Sequence, residues 1–244
     1  MAGKGPAHDD VRTALTAQYG VLVGALAELD PSGPTDCAGW TVADLESHLA
    51  LTARSLAGIA AYGSTGPADG GGVADWAARL PALAAETDRS TKAERLALAP
   101  HADAATAALV QYGEDTVVEQ LTGRHTLKEA ALFRLVEAVV HGLDAGITPD
   151  RRALKIVVKE LARAFADAHP GRTVELRVPP YAAVQCLTGP RHTRGTPPNV
   201  VEAAPVAWVR VATGRQSWAE LVRDGSIRAS GERADLSAFL PLLT

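Results

Sequence analysis

The sequence predicts two consecutive domains, an N-terminal four-helix bundle followed by a smaller α+β domain. Up to residue 146, apolar side chains recur every three or four residues in four main segments, the spacing of amphipathic helices. Beyond residue 150, short alternating segments typical of strands are mixed with helical ones. We therefore place the first domain at residues 9–146 and the second at residues 151–244, separated by a short linker.

The helical patterns of the first domain are separated by turn-forming residues. They cover residues 9–29, 41–62, 73–86, 89–112 and 126–144. Thr41 and Asp44 have the spacing of a capping box, which predicts a helix start at this point. Pro100 disturbs the fourth pattern, residues 63–72 form a glycine-rich connector, and residues 113–125 look irregular.

The second domain alternates between helices and short strands. We expect a helix over residues 151–168, strands over 173–178, 182–187 and 226–229, and helices over 205–210, 217–222 and 235–243.

Composition excludes several classes of protein. The 244-residue chain is 47% apolar and 21% charged, which is ordinary for a soluble globular protein. A net charge of −4 argues against nucleic acid as a partner, and no apolar run is long enough to span a bilayer. With two cysteines and no signal peptide, we expect a cytoplasmic protein. As to its oligomeric state, we expect a monomer or a homodimer. The excess of arginine over lysine is typical of GC-rich genomes and hints at an actinobacterial origin.

Three side chains predict a metal site. Glu137 and His141 lie four residues apart in a helical segment, so they project from one face about one turn apart. His48, in the earlier helical segment, is the best third donor. Two imidazoles and one carboxylate form a catalytic type of zinc site that leaves one coordination position open. We therefore expect Zn²⁺ or another divalent cation here.

Other interpretations of these residues stay open at this point. Glu137 and His141 also fit a weak pair on a helix surface. A histidine beside an apolar helix face, such as His48, is more often a hydrogen-bonded core residue. Asp44 either caps its helix or orients His48. Cys37 precedes a helix N-terminus, where a thiolate is favoured, but it also fits a small packing residue.

Two motifs strengthen the metal hypothesis. Residues 37–45, CAGWTVADL, followed by His48, and residues 134–137, RLVE, followed by His141, resemble the motifs of the mycothiol-dependent maleylpyruvate isomerase family. The resemblance implies a DinB-like four-helix domain in which His48, Glu137 and His141 bind a divalent metal, usually zinc. It also implies mycothiol as a co-substrate whose thiol ligates that metal.

The second half resembles the sterol-carrier-like C-terminal domain of these proteins. The similarity rests on residues 208–215, WVRVATGR, and residues 230–236, SGERADL. The family holds an anionic substrate with arginines near the metal, and Arg215 is the matching candidate, although a surface ion pair explains it equally. Residues 191–198 are more similar to a subgroup known only as sterol-carrier-family proteins, so maleylpyruvate is not assumed as the substrate.

These observations together favour a zinc- and mycothiol-dependent isomerase or transferase. Its partners would be a small thiol and a small electrophilic, anionic substrate, with Arg215 as a catalytic residue. The alternative is a non-catalytic protein that holds an apolar or amphipathic ligand in the sterol-carrier-like domain, with a structural or vestigial metal site.

Overall fold

A computed structural model describes residues 5–189 and 199–243. Residues 6–153 form one compact unit, and residues 154–243 belong to a second unit together with Gly5. The polar loop expected at residues 191–198 lies outside the described residues. Within the described ranges, no helix is long and apolar enough to cross a membrane.

The N-terminal unit is mostly helical. Its elements are α1 (His8–Leu26), α2 (Val42–Tyr62), α3 (Val73–Ala77), a 3₁₀ turn (Leu80–Leu83), α4 (Ala84–Ala93), α5 (Leu98–Gln111), β1 (Val117–Gln120), β2 (Gly123–Thr126) and α6 (Leu127–Asp144). The long helices α1 and α2 each pack against both α5 and α6, which makes a four-helix bundle. The predicted fold of this half is therefore confirmed.

Two capping boxes set where α2 and α6 begin. The Thr41 hydroxyl accepts a hydrogen bond from the Asp44 N–H at 3.2 Å, while the Asp44 carboxylate accepts one from the Thr41 N–H at 2.9 Å. Thr126 and Glu129 form the same reciprocal pair at the start of α6. These caps satisfy backbone N–H groups that a first helical turn otherwise leaves unpaired. They hold the two helices that carry the predicted metal ligands.

The bundle core is aliphatic, with a few aromatic rings. Leu15, Leu45, Leu49, Leu109 and Phe133 are among its fully buried side chains. Most of α6 is buried, including apolar residues on several of its faces, so this helix lies at the centre of the unit. Burial of a large apolar side chain stabilises the fold by about 1.5–3 kcal/mol.

Two local predictions in this half are wrong. Residues 117–126 form an antiparallel hairpin in place of irregular chain, with Val117 paired to Thr126. Pro100 does not disturb a helix that is already under way, because α5 begins only at Leu98. Proline is tolerated in the first turn, where its missing N–H has no helical acceptor to lose.

The C-terminal unit is an α+β domain, as predicted. Its elements are α7 (Arg151–Ala168), β3 (Val174–Val178), β4 (Ala182–Cys186), β5 (Val200–Ala203), α8 (Pro205–Ala212), α9 (Trp218–Arg223), β6 (Ile227–Ser230) and a 3₁₀ turn (Ser237–Phe239). The four strands form one sheet in the order β4-β3-β5-β6. Strands β3 and β5 are parallel, and the other two pairings are antiparallel.

Strand β5 was not predicted from the sequence, and the helix predicted at the end of the chain is much shorter in the structure. Strand β5 is only four residues long, too short to show a clear alternation. The helix expected over residues 235–243 is a single 3₁₀ turn. Pro241 has no N–H to donate and favours an extended conformation at the preceding residue; Leu240 has φ −122° and ψ 149°.

Candidate metal centre

The three predicted ligands meet where α2 packs against α6. His48 Nε2 lies 4.0 Å from Glu137 Oε1. The rings of His48 and His141 have centroids 4.9 Å apart and are nearly perpendicular, at 80°. Two ligand atoms of one tetrahedral zinc ion lie about 3.4 Å apart, given bonds of about 2.0–2.1 Å. Small side-chain movements would therefore let His48 and Glu137 share an ion.

Each imidazole has a partner on its other nitrogen. His141 Nδ1 lies 3.0 Å from the carboxylate oxygen Oδ2 of Asp144, and His48 Nδ1 lies 3.5 Å from the hydroxyl of Thr91. A carboxylate or hydroxyl on Nδ1 fixes the orientation of a metal-binding histidine and leaves Nε2 available to the ion. Thr91, on α4, was not foreseen from the sequence.

Burial and nearby positive charge favour the neutral form of His48. Burial lowers the pKa of His48 well below its ordinary value, and the nearby His141 and Arg134 lower it further. A neutral imidazole is the form that donates an electron pair to a metal. The environment of His48 therefore matches a ligand at neutral pH.

Glu137 divides its two oxygens between two partners. Oε1 faces His48, whereas Oε2 lies 2.9 Å from the guanidinium nitrogen Nη1 of Arg134. Arg134 therefore compensates the charge of a carboxylate that is mostly buried, and a single oxygen is directed at the imidazole. Two imidazoles and one carboxylate oxygen fit the donor preferences of zinc.

Asp44 acts as a helix cap. Its carboxylate accepts hydrogen bonds from Thr41, and from Arg95 at 2.7 Å. Burial raises the pKa of Asp44, but these hydrogen bonds outweigh it, so the pKa is lowered overall. The capping interpretation of Asp44 is confirmed, and the hydroxyl next to His48 Nδ1 comes from Thr91.

Trp40 covers both imidazoles. Its ring centroid lies 5.0 Å from that of His48 and 6.0 Å from that of His141. Its indole N–H donates a hydrogen bond to Asp88 at 3.0 Å, and Asp88 is paired with Lys92 at 2.8 Å. The sequence suggested only that Trp40 packs the entry of α2, whereas the structure places it against the predicted ligands.

Comparison with known proteins bears on both halves of the chain. Residues 12–146, more than half of the chain, match the family model described as "Mycothiol maleylpyruvate isomerase N-terminal domain". The chain belongs to this mycothiol-dependent maleylpyruvate isomerase family. Residues 150–242 match the model described as "Bacterial SCP ortholog", where SCP denotes sterol carrier protein. Both resemblances inferred from the motifs are confirmed.

Solved structures of the isomerase share the fold. A crystal structure of mycothiol-dependent maleylpyruvate isomerase is 18% identical to the chain, with a TM-score of 0.61, and covers 92% of this chain and 93% of its own. A mutant of that enzyme is 16% identical, with the same TM-score and coverage. No curated protein sequence matches the chain significantly. At these identities the likeness establishes the fold alone.

A second group of metal-ligating side chains shares His141. One ligand atom each from Cys37, His141 and Asp144 lies within 4.8 Å of the other two. The backbone N–H of Asp36 donates a hydrogen bond to the Asp144 carbonyl at 2.8 Å, which joins the loop before α2 to the end of α6. Cys37 and Asp144 are far apart in the chain, so no local pattern indicates this proximity.

Arg215 belongs to the C-terminal unit. It follows α8, and its Nη1 donates a hydrogen bond to the Thr213 carbonyl at 2.9 Å. Its backbone N–H donates to the Arg210 carbonyl at 2.8 Å. These two contacts lie close to Arg215 in the chain, and its role in holding an isomerase-type substrate stays a prediction.

Proposed function

We propose that the protein is a cytoplasmic, zinc-dependent enzyme that uses mycothiol to isomerise or modify a small electrophilic, anionic substrate. The observation that carries this proposal is the position of His48 beside both Glu137 and His141. Membership of the mycothiol-dependent maleylpyruvate isomerase family supports the choice of thiol. The substrates of the solved relatives do not fix the substrate of this chain.

The charge balance of the centre suits activation of a thiol. Glu137 contributes one negative charge, and Arg134 at 2.9 Å offsets it, while burial lowers the pKa of His48 and favours its neutral imidazole. A zinc ion bound here would supply Lewis-acid chemistry and lower the pKa of a thiol or water at its open position. The protein's own contribution is to offer a neutral imidazole at His48 and a carboxylate at Glu137 whose charge Arg134 offsets.

Orientation and shielding come from the surrounding side chains. Asp144 and Thr91 hold the two imidazoles by their Nδ1 atoms. Trp40 covers one side of both rings and is itself held by Asp88. Rings held in this way keep their geometry when a ligand arrives, and the indole limits the access of water.

The proposed partner for the substrate anion is Arg215. A guanidinium binds a carboxylate through two parallel hydrogen bonds, which suits an acid substrate. Family resemblance supports this assignment. Replacement of Arg215 by Met would therefore raise KM for the acid while leaving the metal content unchanged.

Metal analysis is the first test of the proposal. We expect about one zinc ion per chain in untagged protein, its loss in His141→Ala, and weaker zinc binding in His48→Ala in competition with a chelator, because a catalytic zinc site uses three protein ligands. The matched control is His101→Ala, because His101 lies on α5 and is not one of the predicted ligands. This variant should keep the metal. A wild-type protein without metal, even after zinc is added back, would contradict the proposal.

A binding protein is the second candidate function. The match of residues 150–242 to the sterol carrier protein family favours it. Extraction of protein purified without detergent tests this reading. An apolar or amphipathic molecule recovered in stoichiometric amount from a metal-free protein would support the binding function over catalysis.

A further inference from the structure

The cluster of Cys37, His141 and Asp144 offers a second use for His141. We propose that these three side chains form a binding set for a thiophilic divalent cation, separate from the set of His48 and Glu137 but sharing His141 with it. The inference goes beyond the proposed function, because here the sulfur ligand comes from the chain itself.

The donors suit one ion of this kind. They are a cysteine sulfur, an imidazole nitrogen and a carboxylate oxygen, all ligands that Zn²⁺ and Co²⁺ accept. Ligand atoms of one tetrahedral zinc ion lie roughly 3.3–3.7 Å apart when sulfur is included. The three atoms lie within 4.8 Å of one another, and Cys37 is only half-buried, so rotation of its side chain can close the remaining distance.

The backbone holds the sulfur beside the helix end. The Cys37 N–H donates a hydrogen bond to the Thr35 hydroxyl at 3.2 Å, and the Trp40 N–H donates to the Cys37 carbonyl at 3.0 Å. The Asp36 N–H reaches the carbonyl of Asp144 itself at 2.8 Å. This short loop is therefore fastened to α6 at the residue that supplies the carboxylate.

The position also favours a cation electrostatically. Asp144 is the last residue of α6, where backbone carbonyls without helical partners carry partial negative charge. Its carboxylate is almost fully buried, with 1% of the side chain exposed. A divalent ion between Asp144 and Cys37 would lie next to a buried carboxylate.

Shared use of His141 makes the two sets competitive. An ion held through Cys37 and an ion held through His48 both need this imidazole. A low-molecular-weight thiol added in excess competes with the Cys37 sulfur for the same ion. An external thiol would therefore take the place of the Cys37 sulfur on that ion.

Cobalt substitution tests the inference, because thiolate bound to Co²⁺ gives a near-ultraviolet charge-transfer band that nitrogen and oxygen ligands do not give. Metal-free full-length protein is titrated with Co²⁺ under anaerobic conditions. We expect the band in the wild type and in His48→Ala, and its loss in Cys37→Ser. In the His48→Ala background, Cys37→Ser should weaken Co²⁺ binding at least about tenfold, since it removes a direct ligand.

Cys186→Ser is the matched control. Cys186 is fully buried in the C-terminal unit, its thiol donates to the Val174 carbonyl at 3.7 Å, and burial raises its pKa to about 11. This variant therefore keeps the band. Far-ultraviolet circular dichroism verifies that each variant is folded.

The outcomes separate this inference from the proposed function. Co²⁺ bound without a thiolate band, a band that persists in Cys37→Ser, or no Co²⁺ binding at all would overturn the Cys37 set. Zinc affinity that is unchanged by His48→Ala in the Cys37→Ser background would instead overturn the proposed enzymatic centre, while the thiolate band in His48→Ala would still support the Cys37 set.

Discussion

Two clusters in the helical domain are built around buried histidines, and they differ in what the imidazoles face. At the candidate metal centre, the His48 ring lies beside both Glu137 and the His141 ring. At the hairpin, the His125 ring on β2 packs edge-on against Phe133, with ring centroids 4.9 Å apart, and its Nε2 lies 3.3 Å from the Thr122 hydroxyl. One cluster converges on a point that an ion can occupy, and the other is packed with apolar rings.

The hairpin cluster shows what a structural histidine looks like in this fold. Phe133 also stacks on Trp76, with their planes 6° apart. Gly70 lies so close to the imidazole that a Cβ there would come within 2.0 Å of His125 Cε1. His125 therefore packs the glycine-rich connector against the hairpin, the kind of core role that the sequence also allowed for His48. The difference is that a carboxylate and a second imidazole accompany His48.

The largest effect on stability is expected from His125→Ala, which removes the imidazole of the hairpin cluster. The change leaves a cavity between Phe133 and the connector, and we expect the free energy of unfolding to fall by about 2–4 kcal/mol. Zinc content should stay as in the wild type. Urea denaturation and elemental analysis of the same samples give the two values, and loss of zinc would show that the clusters are coupled.

Replacement of Arg134 removes a positive charge from the candidate metal centre and should change its Zn²⁺ affinity. The positive charge of Arg134 opposes a cation beside Glu137, and it already lowers the pKa of His48. We therefore expect Arg134→Met to raise Zn²⁺ affinity about tenfold, or about 1.4 kcal/mol, in competition with a chelator of known affinity. The metal-free protein should become less stable, because Glu137 loses its counter-ion.

Arg124→Met is the matched control for this prediction. Arg124 forms an ion pair with Asp69 at the connector. The substitution Arg124→Met therefore removes one positive charge, as Arg134→Met does, but beside the hairpin cluster. Its Zn²⁺ affinity should equal that of the wild type. If Arg134→Met weakens zinc binding instead, then Arg134 acts mainly by positioning Glu137.

The features that local spacing governs were predictable from the sequence. The capping box of Thr41 and Asp44 lies within one turn, so its residues specify its geometry. Glu137 and His141 share a helix face by the period of 3.6 alone. The bundle and the α+β domain followed from the same periodicities, and the motifs identified the family.

The features that depend on packing between elements were not predictable. Thr91 reaches His48 across 43 residues because α4 crosses α2, and no pattern in either segment indicates it. Cys37 and Asp144 meet through a loop fastened to a helix end. Helical periodicity specifies which face is buried but not which neighbour that face meets.

The smallest expected effect is the pH dependence of stability that comes from protonation of His125. Burial lowers the pKa of His125 below its ordinary value of 6.5. Above that value the imidazole is neutral in both the folded and the unfolded protein. As the pH falls below it, the unfolded chain takes up a proton that the folded protein resists, so stability is lost. We expect the free energy of unfolding of metal-free protein to fall from pH 7.5 to pH 5.5.

His125→Phe isolates the contribution of this histidine. The phenyl ring keeps most of the apolar packing but cannot take up a proton. The stability lost between the two pH values should therefore be smaller in His125→Phe than in the wild type. His48, whose pKa is also lowered, is present in both proteins and cancels in the comparison. Equal losses in the two proteins would mean that His125 takes up its proton as readily in the fold as in the unfolded chain, and that the hairpin cluster is open to water.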